Sequence, residues 1–213
     1  GQIPLNEVKL KGIRPDKSLA ISFPDLTDIS NEKLTALDDI SHTLALDGLQ
    51  TLTKEQVAIL SRVTIKKTRS KGAVVKKPVL DNLLSLRGIA DISSTDLKTL
   101  SQANHGLWLS FPNGIDRAQA EALASADLKE IALFDLPTLN AKTATTFGQI
   151  GLKKLSIEVS QLDNRTAKAL GQFQGEALEL IIEKPLSEKA ASRLGDHGRT
   201  PIILSVSTMP SID

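Results

Sequence analysis

The residues of this chain that could do chemistry are few and scattered. Its histidines are His42, His105 and His197. A metal site or an acid–base pair needs such side chains to converge, and no His-x-x-x-His or His-Glu-x-x-His spacing occurs. His42 and His105 each stand two residues before an alternating apolar pair, Leu44/Leu46 and Leu107/Leu109. They read as loop residues near a helix C-terminus, where an imidazolium is favourable. Asp38 and Asp39 form a carboxylate pair without a base beside them, which reads as a solvated turn. Neither a Gly-x-Ser-x-Gly elbow nor a phosphate-binding or dinucleotide glycine loop is present. Cysteine is absent, which excludes disulfides, thiolate metal sites and a thiol nucleophile. Asn164-Arg165-Thr166 is formally a glycosylation sequon, but it overlaps a helix start. No set of side chains has workable catalytic roles, so a non-enzyme without cofactor or metal is expected.

Residues suited to binding are easier to find. Lys66, Lys67, Arg69, Lys71, Lys76 and Lys77 crowd residues 64–83 against a single acid, Asp81, with Gly72 and Pro78 as punctuation. The plainer reading is a solvated basic loop or hairpin. The sharper one is a contact for an anionic partner, whether nucleic acid, lipid headgroup or acidic glycan. No aromatic interleaves with these lysines, which weighs against stacking on single-stranded nucleic acid. The second binding candidate is Trp108, the sole Trp in a chain without Tyr.

What positions these residues is a repeat. Leu44, Leu46, Leu49, Leu52, Val57 and Leu60 define apolar offsets 0, 2, 5, 8, 13 and 16. The same register begins again at Ile21, Leu84, Leu107, Ile131, Leu155 and Leu178. The Leu155 unit is one residue short after its strand, and the Leu178 unit reads through Leu180, Leu186, Ala191 and Leu194. Offsets 0 and 2 alternate, as in a strand with one buried face. Offsets 13 and 16 form one stripe of a helix. Between them, Ser30, Thr53, Ser93, Asp116, Asn140, Asp163 and Ser187 are all residue types whose side-chain oxygen can accept an orphan amide at a helix start. Thr53 with Gln56 and Asp116 with Gln119 have capping-box spacing.

Each unit is therefore a strand, a turn and a crossover helix, a length that suits parallel neighbours with right-handed connections. Strands ~4.8 Å apart beside helices ~10 Å across bend such a stack, with the strands on the inner side. The expected class is α/β: a right-handed curved solenoid of about seven strand–turn–helix units. Leu44-x-Leu46, Leu84-x-Leu86, Leu107-x-Leu109, Leu155-x-Ile157 and Leu178-x-Leu180, each followed by apolar residues and a helix, resemble the leucine-rich repeat family over roughly residues 21–204. More narrowly, the chain resembles short bacterial 23-residue repeats of that family. The resemblance implies a curved scaffold for protein–protein recognition on its concave face. One departure stands out: where the family places Asn or Cys, this chain has Leu26, Leu49, Ile89, Pro112, Leu136 and Ser160. Without an asparagine ladder the turns need other partners, and the cap side chains are the obvious suppliers.

Residues 1–20 read as a capping segment in which Val8, Leu10 and Ile13 copy offsets 0, 2 and 5. Residues 21–204 form the array, interrupted at about 64–83. Ile202 and Leu204 read as a closing strand, with 205–213 as a tail. No apolar run reaches the ~18 residues needed to span a bilayer, and a net charge of +1 gives no global pull toward nucleic acid. Gly1 in place of Met reads as the start of a trimmed chain, for which signal-peptide removal is one account. An extracytoplasmic home (cell envelope or periplasm) is the expectation, a cytoplasmic one the alternative.

Offsets 1 and 3 of each strand point away from the core. Small residues dominate offset 1, leaving a shallow groove. Trp108 and Phe134 fall on adjacent strands in diagonal positions, with Arg87, Asp47 and Glu158 on the same face. Trp108 reads either as an interface anchor flanked by Arg87 or as local packing laid flat over neighbouring strands. The expected function is protein recognition through this strand face, with an anionic partner at Lys66, Lys67, Arg69 and Lys71 as the alternative.

Overall fold

The computed structural model describes residues 20–36, 43–63, 83–195 and 200–206. Strands and helices alternate along them: β1 (Ala20–Ser22), α1 (Asn31–Ala36), β2 (Thr43–Ala45), α2 (Lys54–Val63), β3 (Leu83–Leu86), α3 (Ser94–Ala103), β4 (Gly106–Ser110) and α4 (Arg117–Ala124). There follow β5 (Glu130–Thr138), α5 (Ala141–Gln149), β6 (Lys154–Gln161), α6 (Asn164–Leu170), β7 (Ala177–Ile182), α7 (Glu188–Gly195) and β8 (Ile202–Val206). The eight strands form one open parallel sheet in sequence order. Each helix packs on the next along the chain.

The register follows the apolar row. Ile21, Leu44, Leu84, Leu107, Ile131, Leu155, Leu178 and Ile202 stand side by side across the sheet. They join Leu46, Leu86, Leu109, Leu133, Ile157, Leu180 and the helix residues Leu34, Val57, Leu97, Leu123, Phe147 and Leu170 in one continuous core. The helices thus cover one face of the sheet and leave the other open. At β8 this cover ends: Leu204 and Val206, in line with the buried Leu180 and Ile182, are 50% and 56% exposed.

All seven expected caps form. Ser93, Asp116, Asn140 and Asp163 each accept the backbone N–H three residues on. Ser30, Thr53 and Ser187 do the same for Lys33, Gln56 and Ala190. Both capping boxes close, with Gln56 and Gln119 accepting from the N–H of Thr53 and Asp116.

Several details correct the sequence reading. The cap oxygens are spent on their own helices, so they do not replace the asparagine ladder. In three units the residue three after the cap reaches back to the preceding unit instead. Gln56 Nε2 donates to Ile29 O at 2.7 Å, Gln119 Nε2 to Ile92 O at 2.8 Å and Thr166 Oγ1 to Leu139 O at 2.9 Å. Across the helix-to-strand turns a backbone ladder does similar work, with His105 O accepting from Lys129 and Glu130, and Lys129 O from Lys153 and Lys154. Phe111, not Pro112, fills the core after β4, because its N–H pairs with Phe134 O and turns the ring inward. Val159, not Ser160, holds offset 5 of its unit, because β5 carries one extra residue at a bulge between Leu133 and Leu136. That bulge accounts for the unit one residue short, and Asp135 takes it up at φ 57°. In the last unit Ala190, three residues after the cap Ser187, is the buried helix position in place of Ala191. β8 runs to Val206, two residues into the expected tail. Residues 1–19 of the capping segment, 64–82 of the basic insertion and 207–213 of the tail lie outside the described residues.

Replacing Gln119 by Ala removes both its capping bond and its bond to Ile92 O. We expect urea unfolding to show a loss of about 1–2 kcal/mol, against under ~0.5 kcal/mol for the exposed Gln102→Ala. Equal losses would contradict the bridging role.

Candidate functional site

The open sheet face gathers most of the expected binding residues. Trp108, central in β4, stands opposite Ala132 of β5. The methyl side chain there leaves room for the indole between Glu130 and Phe134, the next residues of β5 on the same face. Trp108 Nε1 donates to Glu130 Oε1 at 3.0 Å. Its ring meets that of Phe134 edge to face, with centroids 6.2 Å apart and planes at 64°. Both rings are half-buried. Beneath this layer Ser85, Ser110, Ala132 and Ser156 are buried although they belong to the open face. The large side chains roof over the small ones, so the expected groove is filled in.

Arg87 stacks on Phe134. Its guanidinium carbon lies 3.9 Å from the centroid of the Phe134 ring, a cation–π stack. Asp47 places it: Asp47 Oδ1 accepts from Ser85 Oγ at 2.6 Å and from Arg87 N at 3.1 Å. Asp47 is thus a positioning residue in the turn after β2. Gly48 and Gly88 let successive turns of this kind nest, since a Cβ on Gly88 would stand 2.2 Å from Asp47 O.

Glu158 faces the stack from β6. Burial raises its carboxyl above the ordinary value of 4.5, helped by repulsion from Asp135 and Glu183 and opposed by Arg87. Asp135 itself accepts from Ser110 Oγ at 2.6 Å. On the other side of Trp108, Lys154 Nζ lies 3.9 Å from Glu130 Oε1 and 3.5 Å from Glu179 Oε2, and Glu179 also accepts from Ser156 Oγ at 2.9 Å. Glu130 and Lys154 escaped the sequence reading because they stand one residue before the apolar row, at offset −1. The signal was the repeat period itself, which makes that position a third row of the open face.

Lys66, Lys67, Arg69 and Lys71 lie outside the described residues, as do His42, His197, Asp38 and Asp39. His105 sits half-buried in a helix-to-strand turn, with Nδ1 buried and without a hydrogen-bond partner. Among the described residues no three His, Asp or Glu side chains group as a metal ion would require. No helix among them is long and apolar enough to cross a membrane. A shallow hollow of about 340 Å³ lies away from Trp108, at the turns lined by Gly148–Lys153 and Gln174–Glu176. No protein-family model matches the chain, and no curated protein matches it.

The raised Glu158 carboxyl gives a pH signature. Folding favours its protonated form, so that contribution is fully present below the ordinary value of 4.5 and is lost as pH rises through the raised one. Glu158→Gln removes this loss. From pH 4 to pH 7 the stability of Glu158→Gln relative to the parent chain should rise, as read from urea midpoints; a fall would contradict the assignment.

Proposed function

We propose that the chain is a right-handed, leucine-rich-repeat-type solenoid, curved with its strands on the concave side, and that it works as a non-enzymatic protein-binding module through the open sheet face. The observation that carries this reading is the edge-to-face pair of Trp108 and Phe134 with Arg87 stacked upon it. Trp and Arg are the side chains that most often anchor protein interfaces. Here they stand at the middle of the sheet, on the face without helices, and their rings are held by packing and by the Glu130 bond. An anchor already fixed in place loses little side-chain entropy on binding. The parallel strands in sequence order, the seven caps and the recurring apolar row support the repeat type. The polar layer around the rings also favours recognition over catalysis: Asp135 is engaged by Ser110, Glu179 by Ser156 and Lys154, and Glu130 by Lys154 and Trp108.

The test is capture of partners from a lysate by the immobilised chain, compared band by band. Trp108→Ala and Phe134→Ala should each weaken capture about tenfold or more, the size expected of an interface anchor. Lys168→Ala, exposed on α6, should leave it unchanged. Capture equal in all three variants would remove the open face from consideration.

A further inference from the structure

The open face is unevenly charged. Asp135, Glu158 and Glu183 stand near one another with Arg87 as the cation that opposes them. Glu130 and Glu179 share the single ammonium of Lys154, at 3.9 and 3.5 Å. The carboxylates of this face thus outnumber the cations Arg87 and Lys154. Burial raises the Glu158 carboxyl most, and repulsion from Asp135 and Glu183 adds to it against the opposing pull of Arg87. The Phe134 ring already takes a guanidinium at 3.9 Å, so the cluster suits planar cations. Beyond the carboxylates the same face continues into the half-buried Ile181 of β7 and the exposed Ile203 of β8.

We propose that the partner of this face is a protein segment bearing arginine or lysine side chains, whose cations complete the neutralisation of Glu158, Glu130 and Glu179 beside the aromatic pair. This rests on the reading of the open face as the binding surface and adds the sign of the partner. Charge complementarity sets it: a cationic segment relieves the repulsion around Glu158, whereas an anionic one would add to it. Arg87 and Lys154 then act as fixed spacers that hold the carboxylates in place for the incoming charges.

Trp108 is the reporter, because its emission stands alone in a chain with one Trp and no Tyr. Hexa-arginine amide is titrated into the chain, with hexaglutamate and a neutral Gly/Ser hexapeptide in parallel. Hexa-arginine should shift or quench the emission saturably, while the other two leave it unchanged. Raising salt from low to physiological levels should weaken that binding severalfold. The double variant Glu158→Gln/Glu183→Gln, checked for folding by circular dichroism, should weaken it severalfold as well. Binding of hexaglutamate in preference to hexa-arginine would overturn the inference, as would hexa-arginine binding that the double variant leaves intact. Absence of hexa-arginine binding up to about 1 mM would overturn it too. If Trp108→Ala and Phe134→Ala still weaken lysate capture in that case, the open face stands as the binding surface and only the cationic partner falls.

Discussion

A strand–turn–helix unit of about two dozen residues cannot bury its leucines alone; it needs the same surface of a neighbour, in the same register. Here that requirement is met by one apolar row running from Ile21 to Ile202 without a slip. A slip of one residue at any strand would turn its leucines to the open face and its polar residues into the core. Other contacts guard the register: the reach of Gln56, Gln119 and Thr166 to the preceding turn, and the backbone ladder through His105, Lys129 and Lys153. These bonds satisfy turn carbonyls that would otherwise lie buried and unpaired.

Once the leucines are committed to the helix side, the alternate residues have no choice but the open face. The proposed site is a consequence of that parity. Trp108 lands opposite Ala132 because both occupy offset 1, and the small residue makes the indole's resting place. Phe134 lies two residues beyond Ala132 on the same face, within reach of the Trp108 ring and of Arg87. The bulge at Asp135 brings a further carboxylate toward Glu158.

Much of this was legible in the sequence, for physical reasons. Strand period, helix stripe and cap chemistry are local rules, and seven repetitions let each unit check the others. Trp108, Phe134, Arg87, Asp47 and Glu158 were placed on one face by counting alone. Counting could not give the third dimension. That Trp108 leans toward Glu130, and that Arg87 covers Phe134 rather than Trp108, depend on rotamers chosen among neighbours. The exchange of Pro112 for Phe111 and of Ser160 for Val159 depends on where a turn inserts or drops a residue, which no apolar template marks. The inter-unit bonds of Gln56 and Gln119 were hidden behind their capping-box role, since one side chain serves both ends.

The most direct test of the account is the alternation itself. The chain has no cysteine, so single-cysteine variants carry one reactive thiol each. Leu178→Cys, Glu179→Cys, Leu180→Cys and Ile181→Cys place it at four consecutive positions of β7, and the rate of maleimide labelling in native buffer reads which face is open. The account predicts fast labelling at positions 179 and 181 and protection at 178 and 180, where the leucines are fully buried. Fast labelling at 178 and 180, or rates that do not alternate, would contradict it.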